Sequence, residues 1–199
     1  MTAPKALLTA ALLLALAGCA GSSSAPPPSV PPATEVARSV EQDGKFISLV
    51  GPRRQHAEPF LGVPSTNFYA LRSWLDTRNG EVAHQLYVED SYFGAKRNWE
   101  AARDKAGEKL RFVEISNNEI TCNPGCSYAE EFAAALPEAL LRANLQGLIV
   151  TFTAKSGADK TLIVPGELIA KQLAAVDDAR TTLPTAAASA PPPAAPPKQ

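Results

Sequence analysis

Between residues 36 and 180, apolar and polar positions alternate in short blocks separated by Gly, Pro and Asn-Gly. Residues 45–50 form a short apolar run stopped by Gly51-Pro52 and read as a strand. Residues 67–76 and 82–89 read as two more, with Asn79-Gly80 between them. Asn-Gly between alternating runs is the strongest short hairpin signal, because both residues tolerate φ > 0 in a type I′ turn. A two-residue turn there sets Leu75 opposite His84, Trp74 opposite Gln85, Arg72 opposite Tyr87 and Leu71 opposite Val88. One face then carries Tyr69, Leu71, Leu86 and Val88, and the other Arg72, Trp74 and Tyr87. Both faces hold apolar surface, so something must cover part of the second.

Residues 98–106 read as a helix: Asn98 suits the N-cap, Trp99, Ala102 and Ala106 share a face, and Gly107 suits the exit. Residues 109–115 and 119–122 read as strands joined through Asn117-Asn118. In residues 128–136 Phe132, Ala134 and Leu136 alternate, which favours strand, although the alanines also suit a helix. Pro137 opens a helix through Asn144, where its missing N–H has no consequence, and Gly147 closes it. Residues 148–155 and 160–164 form a second hairpin around 156–159. In residues 167–176, Leu168, Ile169, Leu173 and Val176 make one helical stripe, with Glu167 placed for the first-turn dipole. The expected fold is a single α+β domain, a mainly antiparallel sheet built from hairpins with about three short helices.

The chain has 199 residues and is 45% apolar, which excludes a wholly disordered polymer. Its formal net charge of −1 gives no basic footprint for nucleic acid. The 18 prolines are unevenly spread. Residues 20–35, AGSSSAPPPSVPPATE, hold five prolines and too little apolar bulk to bury a core, so they read as a linker. At about 3.1 Å per residue such a linker reaches roughly 50 Å when extended. Residues 182–199, TLPTAAASAPPPAAPPKQ, read as a matching disordered tail. The expected body, 36–180, is long enough for one real core.

Lys5 precedes a 12-residue run, 6–17, that is apolar apart from Thr9. That is too short to span a bilayer and fits the apolar region of a signal peptide, residues 1–18. The run ends in Leu16-Ala17-Gly18-Cys19, which resembles the lipobox of bacterial lipoproteins. The resemblance implies cleavage before Cys19, acylation of Cys19 and, since Ala20 is not aspartate, sorting to the outer membrane. It therefore implies a membrane partner through the anchor and a domain in the periplasm. Without residues 1–18 the chain has 18 basic and 20 acidic residues, because only Lys5 is lost.

Cys122, Gly125, Cys126, Gly147 and the closing helix of 168–176 are similar to the C-terminal part of the invasion-associated locus B family. That resemblance covers about a quarter of the chain and implies a secreted or envelope accessory protein rather than a catalyst.

The chemistry-bearing residues are few. Cys122 and Cys126 bracket Asn-Pro-Gly, and in an oxidising periplasm such a pair points to a disulfide. A redox pair normally has two intervening residues, and a metal site needs two further ligands. There are two histidines, His56 in a basic loop-like stretch and His84 on the first hairpin. No G-x-S-x-G, H-E-x-x-H or Gly-rich phosphate loop occurs, so no catalytic, metal or cofactor site is expected. Glu130-Glu131 and Asp177-Asp178 read as solvated acids. Arg72, Trp74 and Tyr87 converge on one hairpin face. They read either as a core cation–π pair or as a recognition patch, because Tyr, Trp and Arg dominate binding hot spots. The expectation is a lipid-anchored envelope protein with a non-catalytic binding or structural role toward an envelope protein or cell-wall partner. Two alternatives are an envelope hydrolase using acidic residues and His84, and a carrier of a small apolar ligand.

Overall fold

The computed structural model describes residues 34–183. Residues 1–33 and 184–199 lie outside the described residues, and with them the expected signal peptide, Cys19 and most of both Pro-rich tethers.

The chain starts with β1 (Ala37–Glu41), β2 (Phe46–Val50) and the two-residue β3 (Arg54–Gln55), then makes a single 3₁₀ turn at Phe60–Gly62. Next come β4 (Phe68–Asp76), β5 (Val82–Phe93), β6 (Trp99–Asp104), β7 (Lys109–Leu110), β8 (Phe112–Thr121) and β9 (Ser127–Leu136). Helix α1 (Glu138–Ala143), the hairpin β10 (Gly147–Ala154) and β11 (Asp159–Pro165), and α2 (Gly166–Thr181) complete it. The strands form a seven-stranded sheet, in the order β1-β2-β4-β5-β9-β8 with β3 beside β4, and a four-stranded sheet ordered β11-β10-β6-β7. Every strand pairing is antiparallel. The expectation of a sheet-rich single domain holds, with two α-helices instead of about three.

One face of the large sheet is the core face. Leu49, Leu71, Leu75, Leu86, Val88, Phe132 and Ala134 point into it. The expected stripe of α2 covers one part, packing Ile169 and Leu173 with Leu71 and Leu86, and Val176 with Ile47, Leu49 and Leu75. The small sheet covers the rest. Phe132 meets Phe152 at 4.9 Å and Trp99 at 5.2 Å between ring centroids, so aromatic contacts join the two sheets.

Several expected elements are corrected. Residues 98–106 are not a helix but contain β6. Trp99 pairs with Ala154 and Ala101 with Thr153, which leaves Glu100 as a bulge residue. The bulge turns Trp99 and Ala102 to the same buried side although they are three apart, and three-apart burial is what imitates helical spacing. Asn117-Asn118 is not a turn either. Both residues lie inside β8, opposite Glu130 and Ala129. Register shifts leave Ile115 and Ile120 as extra residues of β8, and both are exposed.

The first hairpin exists, but its loop is longer than the two-residue turn implies. Asp76 N–H donates to Glu81 O at 2.8 Å and Gly80 N–H to Asp76 O at 2.8 Å, while the Asp76 carboxylate accepts from Arg78 N–H. Arg72 therefore faces Gln85, Ser73 faces His84 and Ala70 faces Tyr87. The shift is by two residues, so every side chain keeps its expected face. Residues 128–136 are strand β9, paired on both sides. Helix α2 runs past the expected end to Thr181, and Leu183 packs near Val176 and Ala179. Strand β1 escapes the sequence pattern because all five of its residues are exposed.

Candidate functional site

Arg72, Trp74 and Tyr87 lie on the face of the large sheet opposite the core face, with Phe68 and Gln85. Both helices and the small sheet occupy the core side. The Arg72 guanidinium lies 3.3 Å from the centroid of the Tyr87 ring, and Arg53 lies 4.4 Å from that of Phe68. The Phe68 and Tyr87 rings are 5.7 Å apart. The result is a row of cation, ring, ring and cation. The stacking explains why Tyr87 is only 4% exposed on a face that, among the described residues, carries no helix. Arg72 covers Tyr87 and not Trp74, which stays half-buried. Among the described residues neither Arg53 nor Arg72 reaches a carboxylate at ion-pair distance, and Arg72 Nε has no hydrogen-bond partner. Burial lowers the Arg72 pKa; burial and then Glu131 raise that of Tyr87.

His84 belongs to a different constellation on the core side. Its Nδ1 lies 2.8 Å from Ser73 Oγ, and its Nε2 faces Glu138 Oε2 at 3.7 Å, too long for a hydrogen bond. Glu138 is clamped by Arg180 and Arg142, and these hydrogen bonds hold its carboxyl at about 2. Burial lowers the His84 pKa against the attraction of Glu138. Serine, histidine and glutamate thus come together, but Ser73 is 0% exposed beneath α2, with its oxygen taking a hydrogen bond from Gln172. A nucleophile must meet its substrate, and this hydroxyl is sealed. His84 and Glu138 do line a cleft of about 350 Å³, walled by Val82, Leu110, Leu136 and Pro137.

A third cluster was not visible in the sequence. Asp90, 2% exposed on β5, takes Arg97 Nη1 at 2.6 Å, Trp99 Nε1 at 3.0 Å and Lys160 Nζ at 3.0 Å. Its cross-strand neighbour Glu130 accepts from Tyr92 Oη and from the backbone N–H groups of Asn98 and Trp99. Glu130 is 3% exposed, which corrects the expectation of a solvated acid. Alternation hides this: on β9 Glu130 points into the space between the sheets and Glu131 away from it. His56 Nε2 bonds Glu89 O at 2.8 Å and its Nδ1 meets Lys160 Nζ at 3.2 Å, so His56 is tied into the same region. Desolvation and Lys160 lower its pKa. Every charge here has an opposite partner or a donor set, the signature of a structural cluster.

Cys122 and Cys126 are joined as a disulfide, with S–S at 2.07 Å, on the connection from β8 to β9. Among the described residues no three His, Cys, Asp or Glu side chains gather as a metal site, and no helix is long and apolar enough to cross a membrane. The chain matches no protein-family model, no curated protein and no solved structure.

Proposed function

We propose that this is a lipid-anchored bacterial envelope protein whose role is non-catalytic binding at the outer membrane. Its binding surface is the outer face of the large sheet around Arg72, Trp74 and Tyr87. The observation that carries the reading is the pair of arginines stacked on Phe68 and Tyr87 which, among the described residues, have no carboxylate partner and lie on a face that bears no helix. Arg72 is already partly desolvated and both cations are pre-oriented by their rings, so an incoming acidic or aromatic group gains their interaction at small ordering cost. Half-buried Trp74 adds apolar area beside them. The anchor rests on Leu16-Ala17-Gly18-Cys19 behind an apolar run. Three acyl chains on Cys19, as in the family it resembles, hold a protein far more firmly than one.

Two measurements test this. Mass spectrometry of the membrane-extracted protein is expected to find a lipid adduct on an N-terminal Cys19; an unmodified N-terminus elsewhere removes the anchor. Mild crosslinking of the lipidated protein, compared between Trp74→Ala and His84→Ala with folding checked in each, addresses the face. Loss of a hot-spot residue costs about 2 kcal/mol, roughly thirtyfold in affinity. Partner capture is expected to fall only in Trp74→Ala. Loss only in His84→Ala would transfer the role to the other side of the sheet.

A further inference from the structure

The side chains behind the His84 cleft fix where its ring carries a proton. Gln172 Nε2 donates to Leu49 O at 3.0 Å and to Ser73 Oγ at 2.8 Å, which uses both amide protons. The opposite amide orientation would set a carbonyl against Leu49 O. Ser73 Oγ accepts from Gln172, and among the described residues its own proton has His84 Nδ1, at 2.8 Å, as acceptor; a proton on Nδ1 instead would leave that hydroxyl proton unused and turn the Nε2 lone pair on the Glu138 carboxylate. Nδ1 is the acceptor of that bond, so the proton of the neutral ring sits on Nε2. This Nε2–H belongs to a side chain 1% exposed and finds no hydrogen-bond acceptor among the described residues. It lies behind the cleft that His84 and Glu138 line, with the Glu138 carboxylate 3.7 Å away. A buried donor without an acceptor costs free energy until something supplies one.

We propose that this cleft is a binding site for a small alcohol, one hydroxyl on a compact apolar body. The head group is set by the two atoms it meets. It must accept from His84 Nε2–H and donate to Glu138, which its two arginines keep ionised. A hydroxyl does both, and one oxygen can lie at ordinary hydrogen-bond distance from two atoms 3.7 Å apart. A carboxylate ligand would bring a second negative charge against Glu138. An ammonium has no lone pair for Nε2–H. An ether accepts but has nothing to donate. The body is set by the walls, where Val82, Leu110, Leu136 and Pro137 present apolar surface, with Lys109 and Arg111 also lining the cleft. A cleft of about 350 Å³ lies at the small end of ligand sites, which usually start near ~300 Å³. The site lies on the core side of the sheet and is independent of the outer face and of the anchor.

Cyclohexanol tests it, with methoxycyclohexane, cyclohexanecarboxylate and cyclohexylamine as matched bodies with the wrong heads. Titration is followed by the ring nitrogen and amide signals of the ¹⁵N-labelled protein. Cyclohexanol is expected to shift the His84 Nε2–H and the amides around it saturably, with a dissociation constant on the order of millimolar. Each wrong head should bind roughly tenfold more weakly, the cost of one unsatisfied buried group. His84→Phe should reduce the alcohol to the level of the ether. Because His84→Phe also strands the Ser73 hydroxyl, Val82→Trp is the second variant. It fills the cleft, leaves the Gln172–Ser73–His84 chain intact and should abolish the shifts. Cyclohexanol binding no better than the ether, or undiminished binding in Val82→Trp, overturns the proposal. A free-protein spectrum with the proton on Nδ1 overturns it as well.

Discussion

Asp90 offers the sharpest test of what holds the two sheets together. Its carboxylate collects Arg97, Trp99 Nε1 and Lys160 within 3.0 Å while 2% exposed, so Asp90→Ala strands three donors at once. Lys160 is well covered, with 16% of its side chain exposed, and cannot recover full hydration. Removing one partner of a buried pair costs about 3–5 kcal/mol, and an unsatisfied buried N–H adds about 1–3. These contributions overlap, so the expected loss is about 4 kcal/mol. For a domain of this size that lowers Tm by roughly 8–16 °C. The assay is urea unfolding followed by fluorescence, since Trp99 donates to the same carboxylate and reports the site directly. Two controls sharpen it. Lys160→Met added to Asp90→Ala should cost less than the sum of the single changes by about 1 kcal/mol or more, because the second change removes the stranded charge. Raising the salt from about 0.1 to 0.5 M should leave the gap nearly unchanged, since buried pairs are weakly screened. A loss under about 1 kcal/mol, or strict additivity with Lys160→Met, would refute the buried network.

Two further outcomes follow from the same packing. Phe132→Ala removes the ring that touches Trp99, Phe112 and Phe152, and should cost about 3–5 kcal/mol in urea unfolding, whereas Phe93→Ala, at an exposed ring, should cost well under 1. His56 and His84 both have folded pKa values below 6.5, so the unfolded chain binds more protons and their contribution is complete above pH 6.5 and lost as the pH falls below it. Urea midpoints should be flat from about pH 8 to 6.5 and drop toward pH 5. Removing both histidines should reverse the slope, because burial raises Glu89 above 4.5 and its protonation then favours the folded state.

The legible part of the fold was the part in which one face is apolar and the other polar. The β10–β11 hairpin and the stripe of α2 follow that rule, and β9 follows it on one side through Phe132, Ala134 and Leu136. Strand β6 failed because Glu100 bulges, and a bulge changes the period from two to three for one step. Strand β1 failed because an exposed edge has no apolar side to announce it. The Asn-Gly hairpin was found with a slipped register, because Asp76 caps the loop with its side chain and lengthens it by two residues. A slip of one would have put Tyr87 on the face opposite Arg72 and Trp74, so the recognition patch survived an error that parity alone made harmless.

Site chemistry was less legible for a different reason. Arg72, Trp74 and Tyr87 could be placed together because a single hairpin carries all three. The Gln172–Ser73–His84 chain could not, since Gln172 lies 99 residues from Ser73 and reads as one polar position in an apolar stripe. Its signal was present but weak: a glutamine beside Leu173 on the buried side of a helix must find partners or stay costly. The same holds for Asp90, a carboxylate within the long strand β5 whose partners are Arg97, from the connection that follows β5, and Lys160, from strand β11. Burial is what makes both constellations consequential. On the surface, serine to histidine and carboxylate to lysine would each be worth a fraction of a kcal/mol. Between the sheets and under α2 they tie His84 to Ser73 and set which charges the core will tolerate, so the polar residues that escaped sequence reading are those that fix the chemistry of the interior.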